Sequence, residues 1–511
     1  MVRKSFRQTL AQDIFSNKIL IYLVIFVTVL CFGFTVTNFS IGVDDPARNY
    51  YLYSKNVGSM IQQGRLMHVA FNHLTRSVQF IPFFTDFVGA ALYALSALLF
   101  CGLFQYVTDG KLGTAALSAF STVYISCSVI VEKYIYHLDV IVTILSYCLC
   151  AIALVYAYRF VQEKRPALLL WACVALMGAL GSYESFGFVY FCGVFAIFIL
   201  EIVVNQDSKT FLSILRDGLM YALILCISMV AYYSLVYVVQ ILTGQVGIFV
   251  RYNYWAESGE NIIKTFFMAT ENIAQFFEDS IWGRYLPVVV FCVLSAVGFV
   301  LFVLLSVRRK NIWLILCYCA LWAGNFLIHY ANGNFIARGA QTFCLFTGFV
   351  LLILVEFSAC RNVFKQIACC LVALLVFVQS ADMNRWFYND YIRYQKETFV
   401  INTVATRLVA ECDLSKSVVF TNNPDFRYFD TARYQGRQVN GNSVLYWSVN
   451  AWGDPTQPFV TELFQMHGYD FVRSPTEEMY IAAHEKAETM PAWPQEGYLQ
   501  EFDDFIVVNF G

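Results

Sequence analysis

Long apolar runs separated by short polar connections fill the chain as far as residue 380. A bilayer hydrocarbon core of roughly 30 Å asks for about 20 apolar residues per spanning helix. Eleven runs approach that length, near residues 19–39, 84–106, 112–131, 138–158, 166–182, 185–204, 217–242, 285–306, 312–330, 339–358 and 364–380. Each predicts a membrane-spanning helix. The pattern changes after Ser380. From Asp382 onward the chain is polar, with a helical run over 391–411, a strand-like Val418-Val419-Phe420, and a closing stretch from Phe505 to Phe510. Alternating helix and strand signals there predict a small α/β or α+β domain, and about 130 residues suffice for a core of its own. The expected organisation is an N-terminal tail over 1–18, an α-helical polytopic membrane domain over 19–380 and a C-terminal domain over 381–511.

Basic residues orient these helices. Cytoplasmic connections carry the excess of Lys and Arg. With a cytoplasmic N-terminus, Arg159, Lys164 and Arg165, then Lys209 and Arg216, then Arg308, Arg309 and Lys310, then Arg361 and Lys365 all fall on the inner side. The first run follows Arg3, Lys4, Arg7 and Lys18, is long and lacks a small-residue cleavage site, so it reads as a retained signal anchor. The connections near 40–83, 132–137, 243–284 and 331–338 then lie outside, as does everything after about residue 381. Those outer segments hold most of the polar and aromatic residues. The first is about 40 residues long, a length that is uncommon without a function. It contains Tyr50, Tyr51 and Tyr53, and then His68, Phe71, His73 and Arg76 at a helix-like spacing that predicts an amphipathic surface helix. A second surface helix is expected over 261–278, after Arg251, Tyr252, Tyr254 and Trp255.

Composition agrees with the pattern. The chain is 59% hydrophobic and 14% charged, against roughly 25% charged in soluble domains. No basic stripe suggests nucleic acid. The 16 cysteines lie almost entirely inside apolar runs and read as small packing residues rather than a disulfide framework, with Cys412 nearly alone outside them.

Candidate chemistry gathers at the outer ends of the runs. Gly42-Val43-Asp44-Asp45-Pro46-Ala47-Arg48 follows the first run, and Gly64-Arg65 follows that. A transfer to a hydroxyl needs a carboxylate to accept its proton and cations to hold a departing phosphate. Asp44 or Asp45 suits the first role. Consecutive residues point in different directions, so one carboxylate can face substrate while the other binds Arg48, Arg65 or a metal ion. Asp-Asp-Pro is also ordinary turn chemistry. Asp139 opens the fourth run, as a cavity residue or as a helix cap. Glu184 sits in Ser182-Tyr183-Glu184-Ser185 between two closely spaced runs, where it contacts sugar hydroxyls or merely ends the hairpin. Arg338 precedes the tenth run, where it suits bidentate phosphate capture or snorkelling. Lone His329 has no second ligand at zinc spacing and reads as a packed helix-end residue.

Together these features resemble the bacterial polytopic glucosyltransferases related to the O-antigen serotype-converting enzymes of the GT-C superfamily. The resemblance rests chiefly on Asp44-Asp45-Pro46-Ala47-Arg48 with Gly64-Arg65, and covers about residues 15–380. The hairpin departs from the pattern, reading Tyr183-Glu184-Ser185 where the family more often has Tyr-Gln-Ser. The resemblance implies inverting transfer of a hexose, glucose by preference, from undecaprenyl phosphate to a cell-surface glycan outside the membrane. One of Asp44 and Asp45 is then the catalytic base, with Arg48, Arg65, Asp139, Glu184 and Arg338 binding substrate. Its partners are the polyprenyl-phosphate-linked sugar donor, the glycan acceptor and the lipid bilayer. A divalent cation is left open. The competing reading is a transporter or flippase of lipid-linked sugars, whose ionisable residues belong near the bilayer midplane.

Overall fold

The computed structural model describes residues 4–53, 58–75, 82–205, 210–245, 261–283, 285–335, 337–358, 362–423, 443–449 and 451–511. Each of the eleven apolar runs carries a helix. These are α1 (Lys18–Thr37), α2 (Pro82–Val107), α3 (Thr114–Ser126), α4 (Val140–Glu163), α5 (Pro166–Leu180), α6 (Phe186–Val203), α7 (Phe211–Thr243), α8 (Leu286–Arg309), α9 (Trp313–Ala323), α10 (Thr342–Ser358) and α11 (Asn362–Glu411). Among the described residues, eight helices are long and apolar enough to cross a membrane, while α5, α9 and α10 are apolar but shorter. Apolar side chains point outward as well as inward. Tyr22, Phe26 and Val29 of α1 are exposed, as are Leu219, Val230 and Tyr237 of α7. Inside, α4 packs against α2 and α5, and α10 against α3. Tyr93, Tyr124 and Tyr147 meet in that core, with ring centroids 4.9 to 6.0 Å apart.

Two features of the chain shape the region after α1. Lys133 lies in a short helix (Val131–Tyr134) that follows a 3-10 turn (Ser128–Ile130), so the chain from α3 bends before α4 begins. The segment after α1 forms short helices over Asp45–Tyr53 and Leu66–Thr75. The second matches the expected amphipathic helix, but its His68 is buried. Arg76, together with Arg251, Tyr252, Tyr254 and Trp255, lies outside the described residues. The expected helix after them runs over Ile262–Trp282, its start capped by Asn261, whose side chain accepts the Ile263 N–H.

The polar C-terminal part begins without a break. α11 runs for 50 residues, from the last apolar run straight through Ser380 and on to Glu411. No Gly or Pro interrupts it, so the change in composition leaves the backbone helical. At 1.5 Å per residue it spans about 75 Å. Beyond it, β1 (Ser417–Thr421), β2 (Leu499–Glu501) and β3 (Phe505–Asn509) form a sheet in the order β1-β3-β2, with β1 parallel and β2 antiparallel to β3. Its core joins Val400, Val404 and Leu408 of α11 to Phe420, Phe464 and Val508, and takes in Ile41 from the segment after α1.

Candidate active site

The segment from Ser40 to Asp45 turns sharply before the Asp45–Tyr53 helix. The Asp45 N–H donates to the Gly42 carbonyl at 3.1 Å, and Asp45 Oδ2 accepts the Gly42 N–H at 2.7 Å. Pro46 then occupies the first helical turn, where a missing N–H costs nothing. The two neighbouring carboxylates part company here. Asp45 is wholly buried, and its Oδ1 accepts the Leu138 N–H at 3.2 Å. Asp44 instead lines a small cavity, with Arg65, His68, Lys133, Tyr136, Asp139, Thr143, Tyr183 and Arg338.

Asp139 is the N-cap of α4, yet its side chain makes no capping hydrogen bond. It faces Arg65 at 3.7 Å and His68 Nδ1 at 3.3 Å. The cations lie against aromatic faces. Arg65 is 5.2 Å and Lys133 3.3 Å from the centre of the Tyr183 ring. Arg338 donates to the Tyr136 hydroxyl at 3.3 Å and lies 5.9 Å from that ring's centre. Such contacts hold a cation in place without neutralising it. The charge of Asp44 acts on both Tyr136 and Arg338. Two arginines, a lysine and two carboxylates therefore share one small space.

Behind the cavity stands a second, buried polar group. His137 Nδ1 lies 2.8 Å from Asp86 Oδ1, and its Nε2 is 3.1 Å from Ser40 Oγ. Burial pulls the His137 imidazole down, but Asp86, Asp45 and Asp390 outweigh it and raise the group to about 9. Burial likewise pushes the Asp45 carboxyl up to about 7, against the pull of His137. On the far side, Arg393 of α11 donates to the Ile41 carbonyl at 2.7 Å while pairing with Asp390 and Glu397. Asn49 donates to Glu462 Oε1 at 2.6 Å.

The structure thus gathers Asp44, Arg65, Asp139 and Arg338, four of the residues picked from sequence. Arg48 lies in the Asp45–Tyr53 helix, and its side chain is outside the described residues. Glu184 is exposed and does not line the cavity; its neighbour Tyr183 does. Ser185, next in that turn, is buried and donates to Gln341 Oε1 at 2.5 Å. His329 stacks on Phe335 at 3.9 Å, as a packed residue would. Sequence reasoning missed Lys133, Tyr136 and Tyr183, and placed His68 on a surface. The overlooked signal for Lys133 is a lysine set among apolar residues within four positions of two tyrosines. Among the described residues, no group of three or more His, Cys, Asp or Glu side chains could hold a metal ion, and every described cysteine is free.

Eight spanning-length apolar helices around a shared core define a multi-pass membrane protein. Residues 33–379 match the family described as Glucosyl transferase GtrII, and that is more than half of the chain. The protein belongs to this family of glucosyltransferases. No curated protein matches the chain.

Proposed function

We propose that the protein is an inverting, GT-C-like glycosyltransferase that moves a hexose, glucose in the first instance, from undecaprenyl phosphate to a cell-surface glycan on the outer side of the membrane. The observation that carries this reading is the meeting of Asp44 with Arg65, Lys133 and Arg338 around one cavity. In this scheme the acceptor hydroxyl oxygen attacks the anomeric carbon and its proton passes to Asp44. The bond from that carbon to the phosphate oxygen breaks, and the lipid phosphate leaves with the electron pair. Arg338, Arg65 and Lys133 neutralise the phosphate, which carries up to two negative charges near neutrality. Asp139 holds Arg65 and His68 in place. Glu184 and Arg48 contribute sugar contacts.

The positive-inside pattern of the connections supports the outer location, because the cavity lies at the end away from Arg308, Arg309 and Lys310. A nucleotide-sugar donor finds no support, since the sequence has neither a cytoplasmic Asp-x-Asp nor a nucleotide-binding domain. The transporter reading has less to stand on, because the charged cavity sits at helix ends rather than at their middles. The test supplies purified protein in lipid nanodiscs with undecaprenyl-phosphate glucose and a panel of surface glycans. Wild type forms glucosylated glycan and releases the lipid phosphate, whereas Asp44→Asn is slowed by about 10²- to 10⁴-fold. Equal rates for the two proteins overturn the assignment.

A further inference from the structure

Asp44 and Asp139 come from segments almost a hundred residues apart, yet they line the same cavity. Each is adjacent in sequence to one partner of a single hydrogen bond: Asp44 precedes Asp45, and Asp139 follows Leu138. Asp45 Oδ1 accepts the Leu138 N–H at 3.2 Å and Oδ2 accepts the Gly42 N–H at 2.7 Å, so this one carboxylate ties the two segments together. Neither of its oxygens is exposed. Gly42 completes the joint. A β-carbon there would collide with the Ile135 carbonyl oxygen and come within 3.1 Å of Asp45 Oδ2. Only a residue without one lets the two backbones approach this closely.

We propose that Asp45 and Gly42 form a clasp that sets the spacing of Asp44 and Asp139 across the cavity. Asp45 is then a positioning residue for the transfer, not its base. This inference rests on the reading above that Asp44 is the base. The chemistry of the clasp calls for a carboxylate. Its two oxygens meet two N–H donors, and an asparagine would turn an NH₂ donor toward one of them. A buried donor facing a donor is unfavourable enough to push the segments apart. A shift of about 1 Å at a reacting group costs roughly 10²-fold in rate. The Ser40–His137–Asp86 chain braces the same joint from behind, linking both segments to the start of α2.

The experiment compares wild type, Asp44→Asn, Asp45→Asn and Gly42→Ala in nanodiscs. Glucose transfer is measured from pH 5 to 9, alongside hydrogen exchange on peptides covering 39–45 and 135–139. Asp45→Asn and Gly42→Ala should each lower kcat by about 10- to 100-fold, and Gly42→Ala, which keeps both carboxylates, should leave the acidic limb of the pH profile unmoved. Both variants should speed exchange in the two segments together. Asp44→Asn should slow transfer by about 10²- to 10⁴-fold and leave exchange unchanged. Gly42→Ala replaces no ionisable group, so it decides the question if Asp45→Asn does not fold. The proposal is overturned if both clasp variants match wild type within twofold with unaltered exchange, or if they speed exchange in only one of the two segments. If wild type itself moves no sugar, the glycosyltransferase reading fails by itself, and the exchange data still decide whether the clasp exists.

Discussion

Two cavities of this molecule gather cations, one at each end of α10. Arg338 precedes that helix and Glu356 lies in its last turn; the stretch from Thr342 to Glu356 spans about 21 Å at 1.5 Å per residue. The cavity at the far end is lined by Lys111, Arg308, Arg309 and Glu356 with Val203, Val204 and Phe357. By charge alone it resembles the first, with three cations in each. The partners differ. At the far end Arg309 donates to the Val203 carbonyl at 2.9 Å, the last carbonyl of α6, and Glu356 accepts the Gly113 N–H at 3.0 Å. Lys111 donates to Asn205 Oδ1 at 3.0 Å. These groups satisfy helix ends and tie connections together. Around Asp44 the basic side chains rest on tyrosine rings, and Asp139, although it is the N-cap of α4, turns its carboxylate to Arg65 and His68 instead of capping the helix. The lesson is that clustered positive charge is ordinary at helix ends, whereas a carboxylate held at a cavity wall by buried partners needs a further reason.

The sharpest way to break this contrast is Asp44→Asn, with its expected loss of about 10²- to 10⁴-fold in transfer. Next comes Arg338→Ala. Removing a cation that stabilises a leaving phosphate should cost about 10²- to 10³-fold in kcat. Arg338→Lys should recover part of it, because the charge remains while the planar fork is lost. Steady-state transfer assays read both, and an Arg338→Ala enzyme as fast as wild type would make the two cavities equivalent. A smaller effect concerns the brace behind the first cavity. His137 holds its proton more tightly when folded, at about 9, than when unfolded, at about 6.5. Its stabilisation is therefore complete below about pH 6.5 and fades as pH rises through about 9. The raised Asp45 acts in the same direction at lower pH, between its ordinary value and about 7. Thermal unfolding from pH 6 to 10 should show wild type losing stability across that window and His137→Gln following a flatter curve. The smallest effect belongs to the far cavity, where Arg308→Ala should leave transfer within twofold of wild type. A larger loss would show that chemistry reaches both ends.

Much of this was legible in the residues. Eleven apolar runs each became a helix, because a span is recorded locally as a stretch of apolar side chains. Asp44, Arg65, Asp139 and Arg338 were recognisable as polar groups at the ends of such stretches. Other parts were hidden. The division near Ser380 marks a real change of composition but not of backbone, since a helix continues wherever nothing interrupts it. β2 spans only three residues and pairs through partners close by in sequence but invisible to periodicity. In the hairpin between α5 and α6 the charge at Glu184 drew attention, while the cavity took Tyr183. Lys133 went unnoticed because it follows an apolar run. It reaches the cavity only through the bend after α3.

Hydropathy and charge along the chain determined that this is a helical protein with several membrane-length apolar helices, at which ends of those helices the candidate polar residues gather, and that a polar stretch with helix and strand signals follows. Those properties depend on neighbours within a helical turn or two. Tertiary structure alone decided which of two adjacent aspartates faces the cavity. The answer lies in the Leu138 N–H, 93 residues from Asp45. A carboxylate in a turn is free to point either way until a distant backbone donor claims it, and burial then makes that choice costly to reverse.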